Sequence, residues 1–139
     1  MIVADTNVVS EFMRDAPDPA VIRWAQSIDA SDLTICVVTV EEIERGLGRL
    51  AEGRRRRELK HRWTRLLDDF AEMVVSYDLL AARETAAVLV AAEGSGRPMA
   101  LADAQIAGIC LAGGHDLATR NVGDFVNTAG LTVIDPFDK

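Results

Sequence analysis

Short apolar runs alternate along this chain with longer stretches in which apolar residues recur at helical spacing. The short runs are rich in β-branched residues or alanine and predict strands at residues 2–4, 33–38, 73–76, 117–119 and 131–134. The stretches between them predict helices at 8–14, 20–27, from 39 onwards, and at 59–70, 79–93 and 101–111. Strands separated by helices indicate a three-layer α/β fold, with a mostly parallel sheet of about five strands flanked by helices.

The length of 139 residues fits a single domain that spans residues 1–139. Apolar residues make up 49% and charged residues 27%, a balance typical of globular chains. The longest purely apolar run, residues 86–92, is far shorter than the ~20 residues of a membrane span, and the first residues do not match a secretion signal. We therefore expect a cytoplasmic protein without a membrane span. Cys36 and Cys110 lie in apolar segments and predict buried thiols.

Charge is divided unevenly between one basic window and an acidic remainder. The net charge is −7, but residues 45–65 contain nine basic and two acidic residues. That window carries +7 and leaves −14 on the rest of the chain, so one face can bind phosphates while the total stays negative. Four consecutive arginines are predicted to contact phosphates or an acidic partner: Arg54, Arg55, Arg56 and Arg57. The alternative is a pair of solvated helices without a partner.

Acidic and amide residues stand where the predicted strands end. They are Asp5 after the first strand, Glu42 after the second, Asp103 in the first turn of helix 101–111, and Asn121 and Asp124 after strand 117–119. In open parallel sheets, chemistry gathers at the carboxyl ends of the strands. Each acid also has a structural alternative: a turn for Asp5 and Asp124, a capping box for Glu42 with Thr39, and a helix N-terminus for Asp103.

Three or four carboxylates at one sheet edge repel each other unless a positive group lies between them. No lysine accompanies these positions in the sequence, and Arg120 is the only arginine near them. Oxygen ligands without histidine or cysteine favour a hard ion such as Mg²⁺ or Mn²⁺. A metal held by carboxylates activates water and stabilises charge on a phosphoryl group. The acids therefore predict a divalent-metal site that acts on phosphate esters.

Several segments of the chain match motifs of a known family. They are residues 2–11 (IVADTNVVSE), 39–43 (TVEEI), 102–107 (ADAQIA), 118–121 (ATRN) and 133–137 (VIDPF). Together they resemble PIN-domain proteins, specifically the VapC-type toxins of toxin–antitoxin pairs. The resemblance implies a Mg²⁺-dependent endoribonuclease, usually dimeric, that is inhibited by a cognate antitoxin. Some members carry aspartate at the position of Asn121, so Asp124 is the other candidate for that place in the site.

The resemblance also implies a role for each candidate residue. Asp5 and Asp103 hold the metal directly or through water, and Glu42 orients the attacking water or takes its proton. Asn121 or Asp124 adjusts a second metal position or a coordinated water. Thr6 either holds Asp5 in place or is an ordinary turn hydroxyl. The basic window, with arginines 54–57, guides RNA, binds an acidic part of the antitoxin, or does both.

A homodimer is expected because the first half of the chain offers more large apolar side chains than a small sheet covers. They are Phe12, Met13, Ile22, Trp24 and Trp63. Two other functions stay open. A phosphoryl-accepting signalling domain also groups acids at a sheet edge, but this sequence lacks the lysine expected after a later strand. The main alternative is a non-catalytic α/β binding module that keeps the fold and has lost nuclease activity.

Overall fold

The computed structural model, which describes residues 1–138, has a parallel four-stranded sheet at its centre. The strands are β1 (Ile2–Ala4), β2 (Leu33–Thr34), β3 (Asp116–Ala118) and β4 (Val133–Ile134). Their order is β2-β1-β3-β4, and every neighbouring pair is parallel. β1 is central, because Ile2 pairs with Leu33 on one side and with Asp116 on the other. The carboxyl ends of these strands therefore lie along one edge.

Helices cover both faces of the sheet. They are α1 (Thr6–Phe12), α2 (Pro19–Gln26), α3 (Val37–Arg49), α4 (Arg54–Phe70), α5 (Leu79–Gly94), α6 (Leu101–Gly113) and α7 (Val122–Phe125). Successive side chains of β1 point to opposite faces. Val3 packs in a core cluster with α5 and α6, whereas Ala4 packs in a second cluster with α1 to α4. The predicted three-layer α/β fold is confirmed.

The predicted strand at residues 73–76 is wrong, and the sheet has four strands rather than five within the described residues. Val75 makes only an isolated bridge with Cys36. Its N–H donates to the Ile35 carbonyl at 2.9 Å, and its carbonyl accepts the Val37 N–H at 3.0 Å. The pairing stops there because the opposite segment enters α3 at Val37. For the same reason, the strand expected at 33–38 is shortened to β2.

Helix α3 begins earlier than predicted, and this changes the setting of Glu42. The helix starts at Val37 after Cys36, which makes no side-chain capping bond. The capping box, which was the structural alternative for Glu42, does not form, because Thr39 lies inside the first turn and Glu42 lies in the second. Val38 and Thr39 are buried, and this tertiary packing outweighs the low helix propensity of β-branched residues.

A close contact between α5 and α6 fixes the position of α6. Gly108 faces α5, and a Cβ at this position would clash with the Thr85 hydroxyl and lie 2.7 Å from the Ala81 carbonyl oxygen. The Thr85 hydroxyl donates to that carbonyl at 2.7 Å. α6 ends at Gly113 and is capped by Gly114, whose φ of +67° is the left-handed conformation that suits glycine. The first turn of α6, which carries Asp103, is thereby held in place.

The large apolar side chains expected at a dimer contact mostly serve the core of the chain itself. Met13 and Trp63 are only 6% and 5% exposed, and Phe12 and Trp24 pack against the same core cluster. This basis for the dimer is therefore wrong, because these side chains fill the space between the sheet and α1 to α4. Exposed apolar side chains lie instead on α5, where Leu79, Leu80 and Val90 are 73%, 58% and 68% exposed.

Cys36 and Cys110 are buried free thiols, as predicted. Among residues 1–138, no helix combines the length and the apolar character needed to cross a membrane.

Candidate active site

Asp5 and Thr119 stand side by side at the carboxyl ends of the neighbouring strands β1 and β3. Asp5 precedes α1 and accepts the Thr6 N–H on Oδ1 at 2.8 Å. Its Oδ2 accepts the Thr119 hydroxyl at 2.8 Å and the Asn7 side-chain amide at 3.3 Å. Both Asp5 and Thr119 are buried. Three donors thus orient the Asp5 carboxylate, which is more than a turn requires.

Glu42 is held by a contact between the first residue of α1 and the second turn of α3. The Thr6 hydroxyl donates to Glu42 Oε1 at 2.7 Å. The Thr39 hydroxyl lies 3.5 Å from that of Thr6. Thr6 therefore donates a hydrogen bond to each carboxylate: its backbone N–H binds Asp5, and its hydroxyl binds Glu42.

Asp103 lies in the first turn of α6, where its carboxyl is partly buried. Burial raises its pKa, and the negative charges of Asp5, Asp124 and Glu42 raise it further, to about 6. These four carboxyl groups therefore share one electrostatic environment. A helix-terminus acid with no acidic neighbours and full exposure would have a lowered pKa instead, so burial and the neighbouring charges outweigh the helix dipole here.

The pKa of Asp5 is also raised, chiefly because the carboxyl is buried. Hydrogen bonds from Thr119, Thr6 and Asn7 oppose this rise, whereas the charge of Asp124 adds to it. Asp124 lies on α7 and is exposed. Its charge thus acts on both Asp5 and Asp103, which places it at the acidic site.

Asn121 contributes to this site mainly through its backbone. It directly precedes α7, and its side chain makes no capping bond. Its N–H donates to Thr119 Oγ1 at 3.1 Å, so it supports the hydroxyl that orients Asp5. The two candidates for the fourth position therefore differ: Asp124 brings charge, and Asn121 brings a backbone donor and an exposed amide.

The donor set fits a magnesium ion held by few carboxylates. No group of three histidine, cysteine, aspartate or glutamate side chains in the part of the chain that the structure describes is arranged to hold a metal ion. Mg²⁺ in proteins commonly takes one or two carboxylates and keeps several of its waters. An oriented, buried Asp5 beside an Asp103 with a raised pKa matches that mode. Direct coordination by three carboxylates does not match it.

The four consecutive arginines form the first turn of α4, after Gly53. Three of them have an acidic neighbour in the same chain: Arg54 lies 3.0 Å from Glu58, Arg55 lies 3.4 Å from Asp15, and Arg56 lies 3.9 Å from Glu52. Exposed ion pairs of this kind contribute little to stability and exchange readily with other anions. The arginines therefore form a positive surface whose charge is partly balanced within the chain.

Two other arginines of the basic window lie nearer to the acidic site. Arg45 and Arg49 follow Glu42 on α3 at spacings that place them on its helix face. At 1.5 Å per residue they lie roughly 5 Å and 10 Å from Glu42 along the helix axis. Both are exposed, and neither has an ion-pair partner within residues 1–138. Arg45 and Arg49 thus place positive charge along α3 on the same helix face as Glu42.

The family model for the PIN domain matches residues 2–131 of this sequence. The chain belongs to the PIN domain family. The resemblance to PIN-domain proteins drawn from the sequence motifs is therefore confirmed, and the acidic site lies within the matched range.

This PIN domain is similar over nearly its whole length to proteins named as a ribonuclease and as a toxin. The chain is 36% identical over 139 residues to the VapC ribonuclease Y4jK of Sinorhizobium fredii, covering 99% of both chains. It is 31% identical over 138 residues to the Toxin FitB of Neisseria gonorrhoeae, again covering 99% of both. Among solved structures, FitAcB from Neisseria gonorrhoeae matches with a TM-score of 0.91 and 31% identity, covering 100% of both chains.

The residue that sequence reasoning missed in this PIN domain is Thr119. Its hydroxyl donates to Asp5 and accepts bonds from the Asn7 side chain at 3.2 Å and the Asn121 N–H at 3.1 Å. A threonine at the end of a predicted strand, two residues before the candidate Asn121, was the available signal. Its role becomes clear only when β1 and β3 are known to be neighbours.

In the metal-free PIN domain, the melting-temperature advantage of an Asp103→Asn variant is expected to grow with pH. Because the pKa of Asp103 is raised to about 6, the folded state binds this proton more tightly than the unfolded chain does. The resulting stabilisation is complete below the ordinary pKa of 3.8 and is lost as the pH rises through about 6. Calorimetry in EDTA should show that the melting temperatures of the variant and the wild type differ little near pH ~4. The difference should reach its maximum above pH ~7. A difference in melting temperature that does not change with pH would contradict an origin in the titration of Asp103.

Proposed function

We propose that this PIN domain is a Mg²⁺-dependent endoribonuclease and the toxin of a toxin–antitoxin pair, inhibited by a cognate antitoxin. The observation that carries the proposal is that Asp5, at the carboxyl end of β1, together with Glu42 and Asp124, acts electrostatically on Asp103. The raised pKa of Asp103 supports it, because the charges of Asp5, Asp124 and Glu42 add to the effect of burial. The similarity to a VapC ribonuclease and to Toxin FitB supports the assignment to RNA and to toxins.

In this proposal Asp5 and Asp103 hold Mg²⁺, and Mn²⁺ can replace it. When bound, the ion makes water a better nucleophile and neutralises charge on a phosphoryl group. Asp5 is suited to this role because three donors fix its orientation. Asp103 lies in the first turn of α6, and the close packing of Gly108 on α5 limits the movement of that helix.

Glu42 orients the attacking water or takes its proton. The Thr6 hydroxyl already occupies Oε1, which leaves Oε2 available to accept a water proton. Asp124 is the stronger candidate for the fourth acidic position because its charge raises the pKa of both Asp5 and Asp103. Asn121 then serves by supporting Thr119 and by binding water through its amide.

The proposed partners are RNA, the antitoxin and a second copy of the chain. Arg54, Arg55, Arg56 and Arg57 contact RNA or the acidic part of the antitoxin, since charge-assisted bonds suit both. Arg45 and Arg49 lie between this patch and Glu42, which supports RNA guidance along α3. A homodimer stays a prediction that sedimentation velocity at micromolar concentration tests, and the cytoplasmic location stays a prediction as well.

A circular RNA tests the proposed function against the non-catalytic binding module. Only an endonuclease converts a circle to a linear product, whereas a module that merely binds RNA retards the circle on a native gel and leaves it intact. We expect linear product from the wild-type chain in Mg²⁺. Retardation without cleavage, at protein concentrations that saturate the RNA, would favour the binding module.

Mg²⁺ is expected to raise the melting temperature of the wild-type protein. The ion relieves repulsion among Asp5, Asp103 and their neighbours, and it binds only the folded state. At about ten times the dissociation constant this gives about 1.4 kcal/mol, or roughly 3–5 °C for a chain of this size. Scanning fluorimetry with NaCl of matched ionic strength as the control measures it. A melting temperature that stays constant up to ~10 mM Mg²⁺ would count against the metal site.

A further inference from the structure

An open cavity of about 590 Å³ adjoins the acidic site, between α5, α6 and the segment that follows α7. Asp103 and Asp124 line the side that it shares with that site. The lining extends along α6 from Asp103 to Leu111, a length of about 12 Å. A volume of this size is typical of sites for small organic molecules. An occupant of this cavity therefore lies directly beside the carboxylates.

The cavity combines apolar walls with polar groups near its opening. The apolar lining comes from Val88, Met99, Leu111 and alanines of α5. The exposed polar lining comes from Glu84, Arg97 and Asn127. These side chains offer a hydrogen-bond acceptor, a donor, and an amide that can do both. The combination fits a flat ring with an apolar face and a hydrogen-bonding edge.

The charge of the lining favours a neutral group over a phosphate. Carboxylates from Glu84, Asp103 and Asp124 face one arginine of the lining, Arg97. A phosphate or an acidic peptide segment would be repelled by this set of charges. A nucleobase carries no charge at neutral pH and meets no such barrier. Its ring can lie against a methionine side chain, which makes favourable contacts with aromatic faces.

We infer that this cavity binds the nucleobase next to the phosphate that is cut, and that it sets the base preference of cleavage. The inference rests on the proposed ribonuclease function and names the part of the substrate held beside the carboxylates. Proteins that read RNA sequence commonly splay a base out and bond its edge. Arg97 and Asn127 bond the edge of the base, while Met99 contacts its face.

Two neighbouring alanines of α5 provide a matched test. Ala87 lines the cavity and Ala86 does not, although both are exposed on the same helix. Glutamine is a good helix former, so neither substitution should prevent folding. On an RNA with a randomised segment, Ala87→Gln is expected to lower kcat/KM for the preferred base by ~10-fold or more and to flatten the base preference. Ala86→Gln should cleave like the wild type.

A second measurement needs neither metal nor cleavage. In EDTA, each of the four nucleosides is titrated to ~10 mM, since isolated fragments bind weakly, while the NMR signal of the Met99 methyl group is followed. At least one nucleoside should shift that signal in the wild type and in Ala86→Gln. The shift should be lost in Ala87→Gln.

The outcomes separate this inference from the proposed function. If the wild type cleaves RNA and Ala87→Gln keeps the same rate and base preference, the cavity inference is overturned while the nuclease proposal stands. Equal losses in both variants would also overturn it, because they would reflect the helix rather than the cavity. If Ala87→Gln loses only antitoxin binding, the cavity belongs to the antitoxin. If the wild type cleaves no RNA, the proposed function fails. The nucleoside titration then still tests the cavity inference, which an unchanged Met99 methyl signal would overturn.

Discussion

Asp103→Asn is expected to reduce RNA cleavage by about 100-fold or more while making the metal-free protein more stable. The substitution keeps the size of the side chain and removes one negative charge. Burial, together with the charges of Asp5, Asp124 and Glu42, raises the pKa of Asp103 to about 6, so removing the charge relieves both its desolvation and the repulsion. After discounting for solvent screening of this partly exposed group, we expect a gain of about 1 kcal/mol at neutral pH. Urea unfolding in EDTA and an RNA cleavage assay measure the two effects.

The alternative role for Asp103 predicts the opposite on both counts. A carboxylate that only complements a helix N-terminus contributes about 0.3–1 kcal/mol, which the variant would lose. Cleavage would then stay near the wild-type rate. Asp32→Asn serves as the control, because Asp32 lies in a short 3₁₀ helix, Ala30–Asp32, that precedes β2, away from the carboxyl ends of the strands. It should cause little change in cleavage.

Thr119→Val is expected to destabilise the protein by about 2–3 kcal/mol, one of the largest effects available from a single hydroxyl. Valine has nearly the same shape but leaves the Asn121 N–H and one Asn7 amide bond without their acceptor, and Asp5 Oδ2 without its shortest donor. The pKa of Asp5 should rise further, since the Thr119 bond is the largest influence that lowers it. Metal affinity or activity should fall by ~10–100-fold, as for other residues that orient a ligand.

Thr119→Ser separates the hydroxyl from packing effects. Serine keeps the donor and acceptor and loses only a methyl group, so it should retain most of the activity and most of the Mg²⁺ response. If the serine variant lost activity as fully as the valine variant, packing rather than the bond to Asp5 would explain the result. Chemical unfolding and Mg²⁺-dependent melting of both variants, measured together, decide between these explanations.

The sequence predicts the parts of this site that depend on local position. Asp5 directly after a buried apolar run and Asp103 in the first turn of a helix follow from periodicity and from the rule for parallel sheets. Both expectations agree with the elements observed. The strand at 73–76 fails because its pattern carries no information on where the opposite segment turns into a helix. Only the tertiary structure fixes that point at Val37.

The parts that the sequence could not predict depend on which strands are neighbours. Thr119 meets Asp5 because β3 pairs with β1, although the two are far apart along the chain. The bond from Thr6 to Glu42 depends on α3 beginning at Val37 rather than at Thr39. The β-branched residues at the start of α3 favour a strand locally, and burial of Val38 and Thr39 decides for the helix. These contacts, rather than the acids alone, orient the carboxylates.

The acids beside the ends of β1 and β3 are proposed to form a metal-dependent site that cuts RNA. The most direct measurement is the rate of RNA cleavage by the purified wild-type chain, first in EDTA and then after excess Mg²⁺ is added to the same sample. We expect no cleavage in EDTA and full recovery after Mg²⁺, with Asp103→Asn prepared in parallel remaining inactive throughout. Cleavage that continues in EDTA, or that the Asp103→Asn protein performs at the wild-type rate, would contradict the claim.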